Sequence, residues 1–108
     1  MRGPIQHLVL FHFPRALSEQ EEGEMFGRVR AWPEQIGGFR RLRFGRDASG
    51  RSRGYDYALM VEFETAEDME RYTPHPVHRA FADWVHARGS DEVVVDYPVH
   101  LDTVIVGD

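Results

Sequence analysis

The chain has 108 residues, 42% of them hydrophobic and 29% charged, with no cysteine and a net charge of −5. That length suits one globular domain with a single core and is too short for two. The absence of cysteine excludes a disulfide scaffold, a thiol nucleophile and a thiolate metal site, and the acidic balance argues against nucleic acid, whose phosphates call for a positive surface. All 13 positive side chains are arginine, the usage of a GC-rich, bacterial genome. No stretch has the length and apolar character of a signal peptide or a membrane span, so a cytoplasmic protein with no membrane partner is the expectation.

Residues 5–13 read as a strand, with Ile5, His7, Val9, Phe11 and Phe13 on one face and Leu8 and Leu10 on the other. Ser18-Glu19-Gln20-Glu21 is a capping box opening a helix whose inward stripe is Met25, Phe26, Val29 and Trp32. Pro33 breaks or kinks its end and Gly37-Gly38 stops it. Residues 39–46 form a second strand, where Arg41 and Arg43 alternate with Leu42 and Phe44 as on the wet face of a sheet edge. The cluster of Arg40, Arg41, Arg43 and Arg46 is therefore read as edge protection and not as a phosphate site. A polar loop, residues 47–54, leads to a third strand over residues 55–63, with Tyr55, Tyr57, Leu59, Val61 and Phe63 on one face and Ala58 and Met60 on the other. Thr65 opens a helix carrying Met69 and Tyr72. Pro74 and Pro76 interrupt it, and a further helix from Pro76 to Gly89 turns Val77, Phe81, Trp84 and Val85 inward. Residues 92–97 make the last strand.

The order is strand, helix, strand, strand, helix, strand: an α+β, ferredoxin-like βαββαβ layout with an antiparallel four-stranded sheet. Helices of this number cover one face of the sheet. Strands one, three and four are nonetheless apolar on both faces, so the other face needs a partner, and a second copy makes a homodimer. Residues 1–99 form the domain; residues 100–108 are a tail apolar enough to dock as an added strand.

The segment densest in chemistry is Tyr72-Thr73-Pro74-His75-Pro76-Val77-His78. Two prolines fix the backbone around His75, and His78 follows one turn on. A histidine can take a proton near neutral pH, and a tyrosine hydroxyl can donate to a developing oxyanion. Such a pair suits proton abstraction beside a carbonyl with no cofactor and no metal. Structural roles stand beside this: Tyr72 as a core aromatic, His75 as a turn residue, His78 as a hydrogen-bonded core histidine. His75 and His78 could also ligate a metal, with His7 or Asp96 as the third ligand that a site usually requires.

The segments IQHLVLFHF, SRGYDYALMVEFET, YTPHPVH and VVVDYPV, in that order from Ile5 to Val99, resemble the stress-responsive A/B barrel (Dabb) family of the dimeric α+β barrel superfamily. The resemblance implies a ferredoxin-like monomer whose sheets pair into a dimeric barrel. One branch of that family, plant polyketide cyclases, closes a linear poly-β-keto thioester by a cofactor-free aldol reaction. Similarity to that branch implies that Tyr72 and His78 are catalytic, that Asp96 supports His78, and that His7 lines the pocket, while Tyr57 replaces a pocket histidine. The enzyme reading is then a cofactor-independent cyclase, lyase or isomerase acting on a β-keto or phenolic compound, with His7, Tyr57 and His75 around the pair. The alternative is a non-catalytic stress-responsive or ligand-binding dimer built on the same pocket.

Overall fold

The computed structural model describes residues 3–99. Its elements run β1 (Ile5–His12), α1 (Glu19–Arg30), α2 (Trp32–Gln35), β2 (Phe39–Arg46), β3 (Tyr57–Phe63), α3 (Ala66–Tyr72), α4 (Pro76–His86) and β4 (Asp91–Pro98). The sheet order is β2-β3-β1-β4, and every neighbouring pair is antiparallel. This is the ferredoxin-like α+β architecture that the element order implies. The expected tail strand falls at residues 100–108, outside the described residues.

Local chemistry explains where the elements begin and end. Ser18 Oγ accepts from Glu21 N at 3.0 Å while Glu21 Oε1 accepts from Ser18 N at 2.9 Å, so two free amides of the first turn are satisfied. Glu21 Oε2 also accepts from Arg15 and from Arg88 at 2.9 Å, and the Arg88 guanidinium lies 3.7 Å from the centre of the Trp84 ring. Arg15 and the Ser18 amide hold the Glu21 carboxyl well below the usual carboxylate range. These bonds tie the start of α1 to the end of α4. The expected single helix reaching Trp32 is instead two: α1 closes at Ala31 and α2 restarts with Pro33 in its first turn, a position that needs no amide donor. Gly37 and Gly38 both have positive φ, which lets the chain reverse into β2.

Tyr55 is the one apolar residue whose expected face fails. Arg53 and Gly54 both take positive φ, so β3 starts two residues later, at Tyr57. The Tyr55 ring packs 5.7 Å from His12, a β1 residue on the same face as Leu8 and Leu10.

The core lies between the sheet and the helices. Val9, Phe11, Tyr57, Leu59, Val61 and Phe63 from the sheet meet Met25, Val29, Trp32, Tyr72, Phe81, Trp84 and Val85 from the helices. Among the described residues, no helix covers the opposite face, where β1 contributes Leu8 and Leu10, β3 contributes Met60, and β4 contributes Val93, Val95 and Tyr97. The four outer residues among these, Met60, Val93, Val95 and Tyr97, remain between 40% and 48% exposed. Arg41 and Arg43 border the same face along β2, the sheet edge. A contiguous apolar patch with a charged margin is what an isologous dimer buries. Sedimentation at micromolar concentration should therefore give twice the 12.5 kDa chain mass, and Met60→Asp should give a folded monomer. A wild-type monomer would contradict the assignment of this face.

Candidate active site

Strand register creates the polar end of the site. His7 of β1 lies directly opposite Asp96 of β4, so both side chains leave the same face of the sheet. The Asp96 carboxylate accepts from His7 Nδ1 at 2.5 Å. The odd-numbered residues of β1 face the helices, and this places the pair beneath the junction of α3 and α4.

That junction supplies the other two groups. Tyr72 is the last residue of α3. His75, with extended backbone, caps α4 by accepting from Val77 N through its ring Nδ1 at 3.1 Å, and Pro76 follows at the first helical position. The turn brings His78 back against the end of α3, where its Nδ1 is 3.0 Å from the Thr73 carbonyl oxygen. A carbonyl only accepts, so Nδ1 carries the proton and the neutral ring presents Nε2 as a lone-pair base. The Tyr72 and His78 rings are 4.1 Å apart, and the His7 ring meets the Tyr72 edge at 5.6 Å. Trp32 packs against both Tyr72 and His78.

These groups line a cavity of about 340 Å³. His7, Asp96, Tyr72, Thr73 and His78 form one end; Val9, Phe11, Leu59, Phe81, Val85 and Val94 form the walls; His86 and Glu92 form the other end. This is the size and lining of a small-molecule site, apolar with a few convergent polar groups. A larger hollow of about 550 Å³ lies between α1 and α4, but it is open and its lining includes no histidine, tyrosine or aspartate. Among the described residues, no three His, Cys, Asp or Glu side chains come together closely enough to hold a metal ion.

Burial sets the protonation of the pair. It pushes the His78 imidazole below its ordinary 6.5; the neighbouring His7 and His75 act in the same direction, and the Thr73 carbonyl opposes them. Burial also drives the Tyr72 phenol upward, helped by the negative charge of Asp96. Near neutral pH the site therefore holds an uncharged base beside an un-ionised phenol, the forms needed to take a proton and to donate a hydrogen bond.

The family model described as the Stress responsive A/B Barrel Domain matches residues 5–99. The chain belongs to the Dabb family. Among its relatives is olivetolic acid cyclase from Cannabis sativa, 24% identical over 95 residues that cover 86% of this chain and 94% of the cyclase. Similar solved structures include a dimeric ferredoxin-like protein from Thermobifida fusca, with a TM-score of 0.78 at 21% identity over 91% of this chain and 92% of that one. Another is the hydroxynitrile lyase of Passiflora edulis, with a TM-score of 0.80 at 16% identity over 96% and 100% of the two chains.

Against the expectations for a Dabb chain, the structure brings His7, Tyr72, His78 and Asp96 together and leaves two residues out. Tyr57 does not line the cavity. It lies on β3 opposite Phe11, on the side of the sheet away from β4, with its hydroxyl turned toward α1. There its hydroxyl donates to Glu22 Oε2 at 2.7 Å, and burial followed by that carboxylate pushes its pKa up to about 12. His75 is also absent from the lining, since its ring is committed to capping α4. Asp96 does not hold His78: its carboxylate takes His7, and the Thr73 backbone orients His78 in its place. The His86–Glu92 pair escaped the sequence reading. His86 follows His78 by eight residues, which puts both on one helix face, and Glu92 precedes Asp96 by four on one strand face.

The depressed His78 value has a consequence for stability. Below 6.5 the unfolded chain takes up this proton before the folded one, so the unfolded state binds more protons. Stability should be intact above that value and fall as pH drops through it toward the folded pKa. A His78→Gln variant should lose this part of the pH dependence. Equal slopes for both proteins between pH 6.5 and 5 would show that His78 is not held neutral.

Proposed function

We propose that this Dabb protein binds a small β-keto or phenolic compound in the cavity between sheet and helices and moves a proton on it without a cofactor. The observation that carries this reading is the Tyr72–His78 pair: rings 4.1 Å apart in one cavity, with the Thr73 carbonyl fixing the His78 tautomer. The substrate carbonyl oxygen lies at the Tyr72 hydroxyl and its α-carbon faces His78 Nε2. His78 takes the α-proton, the C–H electron pair passes into the enolate, and the Tyr72 hydroxyl donates a hydrogen bond to the enolate oxygen. The imidazolium then returns its proton to carbon or to the oxygen formed by ring closure. The His7–Asp96 pair supplies further polar contacts beside Tyr72.

Base help of this kind is worth roughly a hundred- to ten-thousand-fold in rate, and one oxyanion donor roughly a hundred- to a thousandfold. The name of one relative, olivetolic acid cyclase, agrees with chemistry on a small organic acid, and the hydroxynitrile lyase shares the fold. The Thermobifida fusca protein, described as dimeric, agrees with a homodimer. A second reading, ligand binding without turnover, is favoured by the burial of Tyr72, which is 2% exposed and packed on Trp32, Phe39 and Phe63.

Deuterium incorporation between the two carbonyls of benzoylacetone, an aromatic β-diketone, separates the two. The wild type should exceed the buffer rate; His78→Ala should return it to that rate; Tyr72→Phe should lower it by about a hundredfold or more. A diketone that binds but exchanges no faster than in buffer would leave the binding reading.

A further inference from the structure

The far end of the cavity holds a second polar group that proton transfer at Tyr72 and His78 does not use. Glu92 Oε1 is 2.8 Å from His86 Nε2, and Glu92 Oε2 accepts from the Ser90 hydroxyl at 2.7 Å. A carboxylate only accepts, so His86 Nε2 is the donor and each Glu92 oxygen retains a lone pair. The distal end is thus rich in acceptors, whereas the proximal end offers the Tyr72 hydroxyl as a donor. Glu92 and Asp96 are four residues apart on β4, about 13 Å along the strand, with Val94 between them on the same face of the cavity.

The charges point the same way. Two carboxylates, Asp96 and Glu92, line the cavity, and among its described lining residues there is no arginine or lysine. An anionic ligand would meet two like charges and no fixed cation, which costs affinity.

From this we infer that Glu92, held by His86 and Ser90, is a specificity-determining acceptor. It selects neutral carbonyl compounds that carry a hydroxyl across an apolar spacer from the carbonyl, and it rejects those ending in a carboxylate. The inference rests on the proposed placement of the carbonyl at Tyr72 and His78. It adds that the distal hydroxyl donates to Glu92 and that an aromatic or short alkyl spacer lies against Phe11, Phe81 and Val94.

A matched series on one scaffold tests it: benzoylacetone, its para-hydroxy form and its para-carboxy form, titrated calorimetrically into the full-length wild type, Glu92→Gln and Glu92→Ala at neutral pH. In the wild type the hydroxy form should bind about three- to tenfold tighter than the parent, and the carboxy form weaker than the parent. Glu92→Ala should erase the hydroxyl preference, and Glu92→Gln should narrow the penalty on the carboxy form. Equal affinity for parent and hydroxy forms, tightest binding of the carboxy form, or a hydroxyl preference that survives Glu92→Ala would overturn the inference. So would no binding by any of the three. Deuterium incorporation is read on the same samples. Exchange without a hydroxyl preference sinks the role of Glu92 and leaves proton transfer standing. A hydroxyl preference without exchange does the reverse.

Discussion

A backbone carbonyl governs the site. The Thr73 oxygen would ordinarily be spent within a continuing helix, but Pro74 and Pro76 end α3 and force α4 to restart, and the freed carbonyl accepts from His78 Nδ1 at 3.0 Å. That single bond selects the tautomer, leaves the lone pair on Nε2, and holds His78 against the Tyr72 ring. The capping of α4 by His75 makes the restart affordable, because its ring satisfies an amide that the proline break leaves open. Three residues of the segment thus act as one device: His75 caps the helix, Thr73 orients, and His78 keeps an unprotonated Nε2.

The sheet contributes the rest through register. Antiparallel pairing sets His7 across from Asp96 and Val9 across from Val94, so a polar pair and an apolar wall come from adjacent rungs of the same two strands. Helices cover the sheet over β3 and β1 more fully than over β4, where Val94 is still 51% exposed. The uncovered stretch between β4 and α4 is the cavity. Behind its lining, the Tyr72 ring packs edge-on against Trp32 and tilted against Phe63, with centroids 5.4 and 5.0 Å away, a geometry that adds cohesion beyond burial. A wall packed this way resists collapse into the space that a ligand would fill.

Most of the fold was legible because periodicity and punctuation agree along the chain. The capping box at Ser18, the strand over residues 39–46, the proline break and Gly89 all fall where the structure has them. The failures have local causes. Tyr55 alternated in step with Tyr57, but positive φ at Arg53 and Gly54 is not visible in an alternating pattern. Within the site, the sequence offered Tyr72, His78, His7 and Asp96, and these do converge. It could not show that the Tyr57 hydroxyl would be spent on Glu22 of α1, nor that Asp96 would pair across the ladder with His7, since both are contacts between elements far apart in sequence. The role of Thr73 was hidden for a different reason: it belongs to the main chain, which carries no side-chain signature.

The central claim is that His78 is a neutral base with its proton on Nδ1. Nitrogen-15 NMR of imidazole-labelled protein tests it directly at neutral pH. The account predicts a protonated Nδ1 bonded to a carbonyl and an unprotonated Nε2 for His78, with the pattern disturbed when Pro74 and Pro76 are both replaced by alanine. A proton on Nε2, or an imidazolium at neutral pH, would contradict it.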